Sequence, residues 1–296
     1  MAHAAQELID LKKEHDFLVC VDSDGCAFDS MEIKHKECFI PNTINYWGLQ
    51  SVSKYAREAA EFVNLYSKWR GINRFPALIE TLELTANRAE AKARGFVIPE
   101  TAALRRWMNI ETKLGNPALE AEVAENHDPV MERTLDWSKA VNRDVEKIVR
   151  DVPPFPGVRE SLELLQAFAD VIVVSATPGE ALEREWAEHD ITKYVKVVAG
   201  QEMGTKAECI ALAKNGRYAD DHILMVGDAP GDLSAARKNG VLFYPINPGN
   251  EELSWTRFIN EAHAKFLNGT YAGAYEESLI AEFETYLPES PPWKKG

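Results

Sequence analysis

Residues 17–25 read Phe-Leu-Val-Cys-Val-Asp-Ser-Asp-Gly, and this stretch constrains the fold more than any other. Five consecutive apolar residues, two of them valine, predict a short buried strand. The run ends in Asp22 and Asp24, which flank a serine, and then Gly25. Two carboxylates where a strand emerges repel each other and are costly to desolvate. A hard divalent cation is the most economical offset. Side chains alternate along an extended chain, so Asp22 and Asp24 can project the same way. Gly25 permits a sharp turn that brings backbone close to a ligand. Alone, the stretch could also be a plain turn after a strand, since Asp and Gly are turn formers. A calcium loop does not fit, because its glycine stands sixth after a helix and here it stands fourth after a strand.

The rest of the chain places this strand. Residues 31–150 offer no strand pattern and are rich in Ala, Glu, Leu, Lys and Arg. Helices are expected at 51–69, 76–94, 99–110, 117–124 and 129–149, with proline at or near the start of four of them. Residues 151–157, Asp-Val-Pro-Pro-Phe-Pro-Gly, form a stiff crossing and a boundary. Beyond it the rhythm alternates. Strands are expected at 171–175, 195–199, 223–228 and 241–244, and helices at 158–168, 180–188, 206–214 and 231–238. Short apolar strands alternating with helices imply a parallel sheet covered on both faces. The 17–21 strand belongs to that sheet, which makes the helical block an insertion after the first strand. The expected class is therefore α/β, a doubly wound parallel sheet with an inserted all-helical domain. The expected division is 1–30 and 151–246 for the α/β core, 31–150 for the helical insertion, and 247–296 for a C-terminal helical extension packing on the core. A short helix is expected at 4–15, ahead of the first strand.

Parallel sheets bind ligands at the carboxyl ends of their strands. Asp22 and Asp24 end the first strand, Ser175 the second, and Asp228 the last long apolar one, with Asp232 four residues on. Lys206 opens a helix after Gly204-Thr205. Ser175 could simply cap the next helix. Lys206 could be a solvated lysine, and 228–232 could be a turn with a helix cap. Their joint occurrence at strand ends, in this order, points to one crevice holding carboxylates, a hydroxyl and an ammonium.

This set, Asp22-Ser-Asp24-Gly25, Ser175, Lys206 and Gly227-Asp228-Ala-Pro-Gly-Asp232, resembles the haloacid dehalogenase superfamily. The likeness spans about 17–30 and 154–243, and the helical insertion resembles that superfamily's C1-type cap on a Rossmann-like core. Three positions depart from the usual pattern: Cys26 after the first motif, Ala176 after Ser175 and Ala207 after Lys206. Lys193 and Lys196 are the other lysines available.

The resemblance implies phosphoryl transfer through an aspartyl phosphate. Asp22 would be the nucleophile. Asp24 would protonate the leaving oxygen and then accept a proton from water. Ser175 would bind a phosphoryl oxygen, and Lys206 would balance the charge spread over those oxygens. Mg²⁺ would be held by Asp22, the backbone carbonyl of Asp24, and Asp228, with Asp232 orienting its surroundings. An acid at position 24 favours a phosphatase or phosphomutase over a dehalogenase, because halide departs without a proton. A phosphonatase would need a lysine from the insertion, where Lys34 and Lys36 are available. A non-catalytic binding protein of the same fold is the alternative outside enzymology. The implied partner is a small phosphorylated metabolite. Arg70 and Arg74, in a basic and aromatic stretch between two helices, are candidates to bind it, with Arg105, Arg106 and Trp107 as a second set.

Composition narrows the partners further. The net charge of -14 over 296 residues argues against broad nucleic-acid binding. No apolar run approaches membrane-spanning length, and residues 1–16 contain no apolar signal core. The four cysteines form no Cys-x-x-Cys pair and are expected as reduced thiols in a cytoplasmic protein.

Overall fold

The computed structural model describes residues 2–294. Its centre is a five-stranded sheet in the order β3-β2-β1-β4-β5, with every neighbouring pair parallel. The strands are β1 Phe17–Val21, β2 Ala169–Val174, β3 Val197–Ala199, β4 Ile223–Gly227 and β5 Leu242–Pro245. β1 is central. Val19 and Val21 enter one apolar layer with Val171, Val173, Leu224 and Val226. Leu18 and Cys20 enter the opposite layer with Ile172, Val174, Ile223 and Met225. This is why β1 reads as an unbroken apolar run: both of its faces are covered. Burying each such side chain contributes about 1.5–3 kcal/mol, which makes the register of β1 hard to shift.

The chain divides into two compact units. One holds the segment up to Met31 together with Asp151–Leu287, and the other holds Glu32–Arg150 and the segment from Pro288 onward. The first is the α/β unit. Its helices include Val158–Leu165, Gly179–Glu188, Lys206–Lys214, Pro230–Asn239 and Ala274–Tyr286. Residues 251–267 form a further helix with a π-helical stretch at Phe258–Ala262. Trp255 on it is fully buried and donates from its indole to the carbonyl of Cys26 at 2.9 Å.

The second unit is all helical. Its main helices are Ser53–Leu65, Arg74–Asn87, Ala102–Ile110, Asn116–Asn126 and Pro129–Ile148. They surround Trp47, Phe75, Trp107 and Trp137, a core separate from those of the sheet. Sequence periodicity does not announce the helical stretch 30–46, which runs through a π-helical segment, Lys34–Phe39. The tail returns to this unit. Trp293 packs its ring at 5.7 Å from Phe62 and lies 4.5 Å from the Arg88 guanidinium.

Several expected boundaries move by a few residues, and the first helix moves most. The first helix is Ala2–Ile9 rather than 4–15. The chain leaves the helix because Asp170, buried in β2, draws the backbone N–H groups of Glu14 and His15 at 2.9 and 3.3 Å. A buried carboxylate needs donors more than the next six residues need helix.

Among the described residues no helix is long and apolar enough to cross a membrane. All four cysteines are free and buried.

Candidate active site

The site lies in the α/β unit, at the carboxyl ends of β1, β2 and β4. Asp22 keeps the register of β1, its N–H donating to the carbonyl of Val226 at 3.0 Å. The chain then turns sharply. The carbonyl of Ser23 accepts from the N–H groups of Ala27 and Phe28 at 2.9 and 3.0 Å. Gly25 sits at φ 76°, where a side chain would be strained. The N–H of Ser23 donates to Asp22 Oδ1 at 2.8 Å, which leaves Oδ2 to face the crevice.

Oδ2 of Asp22 meets Lys206. The Nζ of Lys206 stands 2.6 Å from it and 2.5 Å from Asp232 Oδ1. Lys206 reaches there because it is the first residue of its helix, whose start is set by a capping box between Thr205 and Glu208. Asp232 is fully buried and fully engaged. Its other oxygen accepts from the N–H groups of Asp228 and Ala229 at 3.1 and 3.0 Å. Gly227 makes this possible, since a Cβ there would lie 2.4 Å from the Asp232 side chain. Asp228 is 1% exposed at the end of β4. Carboxylate oxygens of Asp22, Asp228 and Asp232 all lie within 4.8 Å of one another.

The charge does not balance within the protein. Three buried carboxylates face one ammonium. Burial pushes the Asp22 carboxyl well above its usual range; Asp232 and Asp228 push the same way, and Lys206 pulls against them. Burial alone would lower Lys206, but Asp22 and Asp232 raise it above the ordinary lysine range, so it stays a cation. The upward push on Asp22 marks a crowding of carboxylates that one ammonium does not relieve, and a second cation beside them would. These residues fit a divalent cation: Asp22 and Asp228 supply hard oxygen donors, and Asp232 is already held by Lys206 and two backbone N–H groups.

Asp24 is half-buried and held by two hydroxyls. Thr177 Oγ1 donates to its Oδ2 at 2.7 Å, and Ser30 Oγ donates to its Oδ1. Ser175 stands at the end of β2, with its N–H on the carbonyl of Ala199 at 3.0 Å and its Oγ accepting from the Thr177 N–H at 3.3 Å. It does not cap the next helix, which starts after Pro178 with no side-chain cap. The two other lysines are engaged elsewhere: Lys193 pairs with Asp190 at 2.6 Å, and Lys196 pairs with Asp170 and Glu14, each at 2.9 Å.

The sequence reading did not single out Thr177 and Ser30. Both lie close to residues it did name, two after Ser175 and six after Asp24. It also passed over Ser23, whose hydroxyl accepts from the Trp186 indole at 3.0 Å and donates to Glu185 at 3.1 Å, pinning the turn between the two aspartates.

The candidate arginines lie in the helical unit. Arg70 is 3% exposed and donates to the carbonyl of Leu65 at 2.7 Å. Arg74 donates to Ser138 and Asn142. Of the second set, Arg105 pairs with Glu83 at 2.5 Å and Trp107 is buried. Lys36 pairs with Glu32.

A family described as haloacid dehalogenase-like hydrolase matches residues 76–246, more than half of the chain. The match includes Ser175, Lys206, Asp228 and Asp232 and begins after Asp22 and Asp24. The chain belongs to the haloacid dehalogenase-like hydrolase family. Among solved structures, it is similar to a haloacid dehalogenase-like family hydrolase from Streptococcus pneumoniae, at 16% identity and TM-score 0.44 over 90% of this chain and 98% of that one. It is also similar to a superfamily hydrolase of subfamily IA from Geobacter sulfurreducens, at 15% identity and TM-score 0.41 over 79% of this chain and 89% of that one. No curated protein matches the chain.

Proposed function

We propose that the chain is a magnesium-dependent phosphatase that hydrolyses a small phosphorylated metabolite through an aspartyl phosphate. The observation that carries this reading is Asp24, a carboxyl group beside the Asp22 nucleophile, held at both oxygens by Thr177 and Ser30. A dehalogenase has no use for an acid there. A phosphate monoester needs one, because its alkoxide leaves poorly without a proton.

The remaining groups divide the work. Oδ2 of Asp22 attacks phosphorus, while the Ser23 N–H on Oδ1 fixes the carboxylate's orientation. Lys206, fixed between Asp22 and Asp232, holds the nucleophile and offers positive charge to the phosphoryl oxygens. Ser175 donates to one of those oxygens. Asp24 protonates the leaving oxygen and then takes a proton from the water that opens the acyl phosphate. Magnesium would be held by the carboxylates of Asp22 and Asp228 and the carbonyl of Asp24. When bound, it screens the repulsion between a carboxylate and a phosphate dianion.

The test is hydrolysis of p-nitrophenyl phosphate by the full chain with and without Mg²⁺. Metal-dependent turnover, lost in Asp22→Asn, is expected. A folded protein inert on a broad panel of phosphate esters would move the chain to the class of binding proteins. A requirement for a sugar bisphosphate activator would make it a phosphomutase instead.

A further inference from the structure

Glu202 is exposed, and an exposed glutamate is ordinarily solvated. Here its carboxylate is committed. Oε2 accepts the N–H of Gly179 at 2.9 Å, across 23 positions of sequence. Gly179 opens the helix Gly179–Glu188, whose N-cap is Pro178. Proline has no side-chain acceptor to offer the orphan N–H groups of a first helical turn. Glu202 supplies one from a different segment.

This bond is the outermost of three that join the same two loops. β2 and β3 pair in register as far as Val174 and Ala199. Beyond the strand ends, the Ser175 N–H donates to the Ala199 carbonyl at 3.0 Å, and the Gln201 N–H donates to the Thr177 carbonyl at 3.0 Å. Glu202 adds the third. The two loops press together at that point. Gly200 has extended backbone, φ -88°, which any residue adopts. Yet a Cβ there would stand 2.4 Å from the Gly179 nitrogen and 2.9 Å from Glu202 Oε2. Position 200 needs glycine for close approach, not for conformation.

What hangs on these loops belongs to the candidate active site. One carries Ser175 and Thr177, and Thr177 Oγ1 donates to Asp24 Oδ2 at 2.7 Å. The other leads, through Gly204 at φ 132°, to the capped helix that begins with Lys206. Thr177 stands between two tethers: its own carbonyl on Gln201, and the Gly179 N–H on Glu202. The first holds the peptide plane after Thr177. The second holds the path of the chain from Thr177 into the helix. A hydrogen bond weakens steeply as its angle opens, so the Thr177 hydroxyl tolerates little swing of this turn.

We propose that Glu202 is a positioning residue for Asp24: by holding the Gly179 N–H it keeps the Thr177 hydroxyl on the Asp24 carboxylate. The effect on catalysis rests on the phosphatase reading, in which Asp24 protonates the leaving oxygen. The tether itself does not. A plain helix cap would make the same hydrogen bond, so the test must read something that a cap alone leaves unmoved.

The experiment compares kcat on an alkyl phosphate and on p-nitrophenyl phosphate, with Mg²⁺, for the full chain, Glu202→Ala, Glu202→Gln, Thr177→Val and the double variant Glu202→Ala with Thr177→Val. Glu202 is exposed, so these changes at 202 leave the core intact. Glu202→Ala is expected to slow the alkyl ester about five-fold more than p-nitrophenyl phosphate, whose leaving group needs no proton. Glu202→Gln, which keeps an acceptor oxygen, is expected to restore most of that difference. In the Thr177→Val background, Glu202→Ala is expected to leave the ratio of the two rates unchanged, because the hydroxyl it positions is gone. No greater loss on the alkyl ester, or the same five-fold change in the Thr177→Val background, makes Glu202 a helix cap only and overturns the proposal. A second readout needs no turnover. Three-bond couplings to the Thr177 methyl carbon report its χ1 angle. One rotamer is expected in the unmodified chain and in Glu202→Gln, and rotamer averaging in Glu202→Ala. A single, unchanged rotamer in Glu202→Ala overturns the proposal. If the unmodified chain hydrolyses neither ester, the phosphatase reading falls, and the couplings still decide whether Glu202 positions Thr177.

Discussion

Lys206 Nζ lies 2.6 Å from Asp22 Oδ2, and the two residues come from chain segments 184 positions apart. One is the end of the central strand, the other the first residue of a capped helix. Around them stand two more buried carboxylates, Asp228 and Asp232. Lys206 is the only cation that the α/β unit places against Asp22 and Asp232 among the described residues. Replacing it with methionine should lower kcat on p-nitrophenyl phosphate by roughly 10²–10³. It should also cost on the order of 3 kcal/mol in urea denaturation measured with a chelator present, because it strands buried charge. Added Mg²⁺ should restore part of that stability. An unchanged denaturation midpoint would contradict the charge balance described above.

Thr177 reaches Asp24 across 153 residues of sequence. If its hydroxyl orients the acid, Thr177→Val should slow esters with poor leaving groups by about ten-fold. It should slow p-nitrophenyl phosphate less, because p-nitrophenolate departs without a proton. The comparison of kcat for an alkyl phosphate against p-nitrophenyl phosphate checks this. Equal losses on both would make Thr177 a purely structural residue.

What the sequence disclosed follows from how the groups are carried. The strands are legible because parallel strands covered on both faces read as apolar runs, as Phe17–Val21 and Ile223–Gly227 do. The aspartates of the site are legible because each ends or closely follows such a run, and Lys206 because it opens a helix after Gly204-Thr205. Thr177 and Ser30 are not, since a hydroxyl beside a turn looks the same whether it bonds Asp24 or water. The π-helical segment Lys34–Phe39 escapes for a similar reason, because one wider turn shifts the apolar stripe out of the helical period.

Gly227 gives a steric prediction. Any side chain there meets Asp232 at 2.4 Å, and Asp232 is fixed by Lys206 and two backbone N–H groups. Gly227→Ala should cost about 1–3 kcal/mol of stability and lower activity, because the shift of Asp232 carries Lys206 with it. Thermal unfolding and p-nitrophenyl phosphate turnover are the measurements. Full retention of both would mean that the strand end can yield without disturbing the site.

Asp170 gives a pH prediction away from the site. Burial pushes its carboxyl up, but hydrogen bonds from Tyr218, Lys196, the backbone of Glu14, and His15 outweigh that and hold it at about 2. A carboxyl whose folded value lies below its unfolded value, about 3.9, stabilises the protein above pH 4. That contribution fades as pH falls from about 4 to 2. Asp170→Asn should lose about 2 kcal/mol at neutral pH, and its deficit against the unmodified chain should shrink through that acid window. A deficit that is constant with pH would assign the loss to packing alone.

The central claim is that Asp22 itself takes the phosphoryl group. The direct measurement is a rapid acid quench of the full chain turning over a phosphate ester with Mg²⁺, followed by peptide mass mapping of the trapped protein. The account predicts a phosphate adduct on the peptide carrying Asp22, absent in Asp22→Asn. Sustained turnover with no adduct there, or an undiminished rate in Asp22→Asn, would contradict it.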